Sequence, residues 1–343
     1  MENVSTSEQT VKLKKAHKPG KFMAALASQK GYLYLLPAFI FLLIFTIYPI
    51  INTVLVAFMN NYDGAGMNLV FGSIFDGQDG YIGFDGFGIE NFKMVVQYPA
   101  FQTALTNTLI FAFISVPISL LLALLISVWL NNIKWLQKLY QTVFFLPYLT
   151  NAIAIGAVFM AMFNIISPTG QIENATSLGF INTILNAFGI PAIKWVNIGA
   201  NVWAQRTVVL LYSIWNGLPF KILIIFSALQ SVNKQYYDAA KIDGANKNRT
   251  LWKVTVPLIS PMLSYLLVTG FMGGLKEYSS VLGIFGDKMG ASNGEMQTMV
   301  GFIYDSLSTD HVGWAAAGAL YLFAIILVFT IINLYLSKKR VHY

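Results

Sequence analysis

The chain has 343 residues, of which 56% are hydrophobic and 11% are charged, and its formal net charge is +7. So few polar residues cannot cover a soluble globule, which excludes a soluble domain and indicates a membrane protein. The sequence has no Cys and three scattered His, which excludes disulfides and thiol-ligated metals and offers no His cluster for a metal.

Six apolar stretches are long enough to cross a bilayer, which takes about 20 mostly apolar residues per helix. We predict a helix at each, because backbone exposed to lipid must satisfy its own hydrogen bonds. The predicted spans are 32–58, 103–129, 141–163, 207–230, 258–283 and 313–336. Pro147 and Asn151 interrupt the third. The expected fold class is therefore an all-α membrane protein with six transmembrane helices.

The distribution of charge predicts the orientation. Lys and Arg concentrate before the first span, in the 231–257 loop and at the C-terminus, whereas the segments on the other side are acidic. The positive-inside rule places both termini and the 231–257 loop in the cytoplasm. We expect 1–30 to be a basic cytoplasmic segment and 31–343 to be the transmembrane domain.

The external loop 59–102 contains four Asp-Gly pairs, at 63–64, 76–77, 79–80 and 85–86. Such repetition raises the possibility of calcium binding, but the spacing fits no EF-hand. Asp-Gly pairs are typical of tight turns, which is the interpretation we favour.

The cytoplasmic loop carries the most informative motif. It contains Asp238-Ala239-Ala240, then Lys241-Ile242-Asp243 and Gly244, and later Val254-Thr255-Val256-Pro257. This run resembles the EAA loop of bacterial ATP-binding-cassette import permeases, in which a short helix docks into a groove on a separate ATPase subunit. Asp replaces the Glu of the family motif, and Val256 replaces the Leu before the proline.

The resemblance implies a coupling helix that contacts the ATPase. Its expected contact residues are Asp238, Ala239, Ala240, Asp243, Gly244 and Ala245. On physical grounds, Asn233 or Ser231 caps the helix, Asp238 lies in its first turn, and Gly244 ends it with positive φ. Asn246 is expected to cap a second helix, which Pro257 and Pro261 bend. The alternative is an amphipathic connector without a partner.

The chain lacks the phosphate-binding sequence Gly-x4-Gly-Lys-Ser/Thr, so we expect another polypeptide to hydrolyse ATP. The resemblance implies a type I importer permease core in a bacterial cell membrane, with no cofactor on this chain. Its implied partners are a second homologous permease, two ATPase subunits that hold Mg-ATP, and an extracellular solute-binding protein.

Further motifs are similar to those of the sugar-importing branch, in particular the larger maltose-type permease subunit. They are Ile89-Glu90-Asn91-Phe92, Asn107-Thr108-Leu109, Phe145-Leu146-Pro147-Tyr148 and the Trp215–Pro219 run. The resemblance implies carbohydrate import, most simply of an oligosaccharide. Carried over by position, it assigns substrate contacts to Tyr148, Ser213, Asn216, Gly217, Phe220, Gly270, Gly274 and Glu277.

Spacing agrees with this assignment. Ser213, Asn216, Gly217 and Phe220 fall at i, i+3, i+4 and i+7, on one face of one helix. Aromatic faces and hydrogen-bonding side chains suit a sugar. The alternative is that these faces, and the glycines above all, pack helix against helix.

Lys221 is a charge deep in an apolar span, where it costs about 3 kcal/mol at the bilayer centre. We include it among the substrate-binding candidates. One hypothesis is an ion pair with Glu277 at a cavity wall, a second is recognition of an acidic sugar or a sugar phosphate, and a third is snorkelling to an interface.

Other functions remain open at this point. The same importer class could carry glycerol phosphate or an acidic oligosaccharide. An ion-coupled secondary transporter would show acidic residues within spans or repeated broken helices, and Glu277 is the only acid near a span. A membrane scaffold or sensor would not need a polar cavity face.

Overall fold

The computed structural model describes residues 34–62, 85–133, 137–168, 171–292, 294–309 and 311–340. The regular secondary structure of this part is helical, apart from isolated bridges such as Met59–Phe87. The chain divides into two units, Met1–Thr53 and Val54–Tyr343. The predicted 1–30 segment and the first three Asp-Gly pairs lie outside the described residues.

Thirteen helices can be traced in the described residues. They are α1 Tyr34–Phe58, α2 Glu90–Gln97, α3 Pro99–Asn132, α4 Gln137–Phe145, α5 Ala152–Phe163, α6 Gly179–Ala187, α7 Val202–Ser231, α8 Lys234–Ile242, α9 Lys247–Leu258, α10 Ser260–Gly274, α11 Ser279–Phe285, α12 Met299–Ser308 and α13 Val312–Arg340. A 3₁₀ turn, Leu146–Leu149, follows α4.

Four helices are long and apolar enough to span a membrane, namely α1, α3, α7 and α13 up to Tyr335. Two bent pairs reach that length only together: Leu139–Leu149 with α5, bent by 97°, and α9 with α10, bent by 72°. The count is therefore four, or up to six if each bent pair is one span.

The third predicted span is not one straight helix. Pro147 lies in the 3₁₀ turn, and the Asn151 side chain accepts hydrogen bonds from the backbone N–H groups of Ile153 and Ala154. This side chain starts a new helix, α5, in a new direction.

The prediction of one helix over 258–283 is wrong. α10 ends at Gly274, and α11 begins at Ser279. Glu277 causes the restart, because its Oε1 accepts hydrogen bonds from the backbone N–H groups of Tyr278 and Ser280, 3.1 Å each. The second predicted span is too short, since α3 covers Pro99–Asn132.

The core of the second unit is built on α3 and α7, which pack along much of their length. Buried Ala123 and Leu124 of α3, Ile222 and Ile225 of α7 and Leu266 of α10 share one apolar cluster. Ser127 Oγ donates to the Ile222 carbonyl at 3.1 Å across the α3–α7 contact. This packing fixes the faces of α7 and α10 that approach α3.

α5 and α11 approach each other through glycines. A Cβ on Gly156 would lie 2.6 Å from Gly283 Cα, and a Cβ on Gly283 would lie 2.7 Å from the Ile153 carbonyl oxygen. Contacts this close are open only to glycine, so this pair sets the position of α11.

Candidate functional site

A cavity of about 320 Å³ lies between α3, α7, α10 and the 3₁₀ turn; we call it the interhelical cavity. The sequence-predicted substrate contacts all line it. They are Tyr148, Ser213, Asn216, Gly217, Phe220, Lys221, Gly270, Gly274 and Glu277. Segments from distant parts of the chain are thus brought together, whereas Ser115, Thr269 and Gly273 also line the cavity and were missed.

The walls combine aromatic and polar groups. The rings of Tyr148 and Phe220 stack with centroids 5.8 Å apart and planes 21° apart. Ser213 Oγ is buried and has no hydrogen-bond partner among the described residues. A buried hydroxyl without a partner is costly, which makes it a candidate to bond a ligand.

Two of the three glycines of α10 that line the cavity also pack against α3, and the third does not. A Cβ on Gly270 would lie 2.9 Å from Val116 Cγ1, and one on Gly274 would lie 3.3 Å from Ala112 Cα. Both therefore let α10 pack closely on α3, as the packing alternative expects. A Cβ on Gly273 would meet nothing within 4 Å. Gly273 is the α10 glycine with open space in front of it.

The predicted ion pair between Lys221 and Glu277 is not formed. The Lys221 ammonium donates to Ser119 Oγ, and the described residues place no carboxylate in ion-pair contact with it. Glu277 instead accepts from the two backbone N–H groups at the start of α11. The pair fails because the α10–α11 turn needs this carboxylate as a cap.

The coupling motif forms helix α8. Asn233 Oδ1 accepts from the Gln235 backbone N–H at 3.0 Å, and Asn246 Oδ1 accepts from the Arg249 N–H at 2.8 Å, so both predicted caps are present. Gly244 has φ +69°, as predicted. Asp238 does not lie in the first turn; it follows one turn later and pairs with Lys241 at 3.4 Å.

The faces of α8 differ. Ala240 is buried against the protein, whereas Ala239, Asp243 and Gly244 are exposed and Ala245 is half-buried. Ile242 is 87% exposed and Tyr236 is 54% exposed. These two apolar side chains are open to contact another molecule. The motif residues predicted from the sequence did not include Ile242 and Tyr236.

A larger cavity of about 1,010 Å³ lies at the other end of α7; we call it the outer cavity. Arg206 lines it and donates to Asn107 Oδ1 at 3.1 Å. Asn107 Nδ2 in turn donates to the carbonyls of Glu295 and Gln297, at 2.8 and 3.0 Å. Tyr278 lines the outer cavity next to Glu277 of the interhelical cavity, so the α10–α11 turn borders both.

The arrangement supplies binding groups and a mechanical connection. α7 lines the outer cavity near its start and the interhelical cavity at its middle, and residues 232 and 233 join its end to α8. Phe220 precedes the end of α7 by about 17 Å, from a rise of 1.5 Å per residue. Among the described residues, no group of three or more His, Cys, Asp or Glu could hold a metal ion.

Comparison with known proteins gives consistent matches. Residues 134–342 match the family model described as binding-protein-dependent transport system inner membrane component. The arabinooligosaccharides transport system permease protein AraP of Bacillus subtilis strain 168 is 28% identical over 309 residues, 89% of this chain and 88% of that protein. The lactose transport system permease protein LacF of Rhizobium radiobacter is 25% identical over 315 residues, 90% and 94% of the two chains.

A solved structure has the same fold. One chain of a bacterial ABC transporter involved in the import of the acidic polysaccharide alginate superposes with a TM-score of 0.71 at 20% identity, covering 93% of this chain and 98% of that one. The predicted type I permease fold is thereby confirmed at the level of architecture.

Proposed function

The chain belongs to the family of binding-protein-dependent transport system inner membrane components, and from this premise we propose that it is the permease subunit through which an ATP-binding-cassette importer moves a carbohydrate into the cell. Members of this family are translocation components rather than enzymes. The carbohydrate assignment is supported by relatives named for arabinooligosaccharide and lactose transport.

The observation that carries the proposal is the convergence of the predicted contacts in one cavity. Its volume of about 320 Å³ is at the low end of the range of about 300–1,000 Å³ for small-molecule sites. The stacked rings of Tyr148 and Phe220 offer a face for the C–H surface of a sugar ring. Ser213, Asn216 and Thr269 offer hydrogen bonds to its hydroxyls.

Helix α8 is the element that contacts the ATPase subunit in this proposal. Its exposed Tyr236, Ala239 and Ile242 fit an apolar groove on a separate ATPase, with the turn at Gly244 ending the contact. Because α7 joins α8 through two residues, a pull on α8 reaches the wall of the interhelical cavity. The ATPase subunits supply Mg-ATP, and this chain needs no cofactor of its own.

We place six spans in a bacterial cell membrane, counting each bent pair as one. Both termini and the 231–257 loop face the cytoplasm, whereas 59–102 and the outer cavity face outside. Residues 1–30 form a basic cytoplasmic segment, and 31–343 form the permease domain. The charge asymmetry of the sequence supports this orientation.

The complete importer contains this chain, a second homologous permease, two ATPase subunits and an extracellular solute-binding protein. ATP-driven closure of the ATPases pulls α8 and opens the interhelical cavity to the outside, where the binding protein releases sugar. Moving a two-state equilibrium from 1:99 to 99:1 takes about 5.5 kcal/mol of differential binding. ATP and the loaded binding protein together are the source of that energy.

ATP hydrolysis by the purified complex tests the proposal. The chain would be purified with the permease, ATPase and binding proteins encoded beside it, and placed in lipid nanodiscs. We expect the saccharide-loaded binding protein to stimulate hydrolysis well above the rate with empty binding protein. Equal rates with and without saccharide would contradict the assignment.

A cross-linking experiment tests the coupling contact separately. Because the chain has no Cys, Ala239→Cys introduces a unique thiol on the exposed face of α8. We expect it to cross-link to cysteines placed along the ATPase groove. The matched control is Thr183→Cys, exposed on α6 at the opposite end of α7. Cross-linking of the control and not of Ala239→Cys would reverse the proposed orientation.

A further inference from the structure

Among the described residues, Lys221 is the one Lys or Arg that lines the interhelical cavity, and it is 7% exposed. Its single hydrogen bond among the described residues goes to Ser119 Oγ. The Ser119 hydroxyl itself donates to the Val116 carbonyl at 3.1 Å, so its oxygen is free to accept from the lysine. An ammonium group has three donors, which leaves two without a partner in the described part of the chain.

Two glycines make the space that this side chain occupies. A Cβ on Gly217 would lie 3.1 Å from the Lys221 Nζ, and one on Gly270 would lie 3.7 Å from its Cε. The ammonium therefore lies against α7 and the stem against α10, with Ser119 of α3 beyond. Contacts from three helices hold the charge in place beside the cavity.

Glu277, the other charged residue among the described residues that line the cavity, already accepts hydrogen bonds from the backbone. Glu277 directs its Oε1 to the two N–H groups that start α11, where the positive end of the helix favours a carboxylate. It forms no ion pair with Lys221. The cavity thus presents a buried ammonium that no described carboxylate contacts, in a place where buried charges are usually paired.

We propose that the substrate supplies the missing partner, and that the importer carries a saccharide bearing an anionic oxygen group, a carboxylate or a phosphate, which Lys221 binds. This rests on the proposed function and narrows its substrate class. Ser119 is a positioning residue, because it touches the lysine and holds its ammonium toward the cavity wall. The neutral walls of Tyr148 and Phe220 then bind the sugar ring beside the charge.

Equilibrium binding to the purified permease–ATPase complex, without the binding protein, tests the inference, since the binding protein imposes its own selection. The probes are galactobiose and digalacturonate, matched in size and differing in charge, with glycerol 3-phosphate as the phosphate probe. For the wild-type complex we expect tighter binding of digalacturonate or of glycerol 3-phosphate than of galactobiose by about tenfold to a hundredfold, the range for hydrogen bonds to charged groups. The stronger of the two anions identifies the group.

Variants assign this preference to the lysine. Lys221→Gln should weaken anion binding far more than galactobiose binding and so lose the preference, whereas Lys221→Arg should keep a large part of it. Ser119→Ala should weaken anion binding by a smaller factor. The matched control is Lys276→Gln, which removes an exposed lysine that does not line the cavity, and it should change nothing.

Equal wild-type binding of galactobiose and the two anions would overturn the inference even if the Lys221 variants fail to fold. An equal loss of neutral and anionic binding in Lys221→Gln would overturn it as well, and would make the lysine a structural residue. In either case, ATP-dependent uptake of a neutral saccharide by the wild-type importer would leave the proposed function standing.

Discussion

Gly244 permits a test that separates backbone strain from docking. Its φ of +69° lies in the left-handed region, which costs an L-residue about 1–2 kcal/mol. A Cβ there would meet nothing within 4 Å in this chain. The penalty of Gly244→Ala is therefore conformational, and it lowers the population of the native turn about 5- to 30-fold. Asn visits this region far more readily, so Gly244→Asn largely removes the strain and keeps the added bulk.

If the α8 turn docks into the ATPase, Gly244→Ala and Gly244→Asn should behave alike. In the proposed complex the added side chain faces the ATPase groove, since nothing in this chain lies within 4 Å of it, so we expect both Gly244→Ala and Gly244→Asn to lose ATP-driven uptake. Both variants should insert and purify normally, because the residue is exposed. Uptake into proteoliposomes and co-purification of the ATPase are the two measurements.

The control is Gly189→Asn. Gly189 has φ +77° and nothing within 4 Å of a Cβ, but it lies before the start of α7, at the opposite end from α8. We expect this variant to transport normally. If Gly244→Asn also transports normally while Gly244→Ala fails, the glycine serves the turn alone, and the docking explanation is refuted.

Three further substitutions test the packing and the cavity. Gly283→Ala brings a Cβ to 2.7 Å from the Ile153 carbonyl oxygen, so we expect overpacking to lower the free energy of unfolding by about 1–3 kcal/mol, measured by thermal unfolding. The control is Gly273→Ala, whose Cβ meets open space and should not destabilise the protein. Asn107→Ala leaves the carbonyls of Glu295 and Gln297 without this donor, so we expect faster proteolysis of the 286–298 segment. The control is Asn132→Ala, whose hydrogen bond is local and exposed. Equal proteolysis of the two variants would refute the role of Asn107 in holding this segment. Tyr148→Leu should raise the half-saturating saccharide concentration about tenfold while Tyr148→Phe retains the stacking; equal uptake by both would exclude ring stacking.

Local chemistry explains why parts of the structure were predictable. The caps at Asn233 and Asn246 and the positive φ at Gly244 depend on neighbouring residues alone, and all three are present. The face of α7 from Ser213 to Phe220 follows from helical periodicity. Its position against a cavity needed the resemblance to a known family, because the same stripe also suits packing.

The failures come from contacts between distant segments. A polar run, Lys276 to Ser280, follows Gly274, but apolar residues resume at Val281, so the predicted span was extended across the break. Only the structure shows that Glu277 caps a new helix there. The sequence suggested Glu277 as the partner of Lys221 within the chain, whereas the packing of α3 against α7 places Ser119 next to it. The contact of Gly156 with Gly283 joins residues that no local pattern relates. In each case the contact depends on how distant segments of the chain pack together.

Uptake into proteoliposomes tests the central claim most directly. The vesicles would hold this chain with its partner permease and ATPase, with ATP enclosed and the binding protein and labelled saccharide outside. We predict accumulation that requires the binding protein, the saccharide and hydrolysable ATP together, and that Gly244→Asn abolishes. Accumulation driven by an ion gradient without ATP or the binding protein would contradict the account.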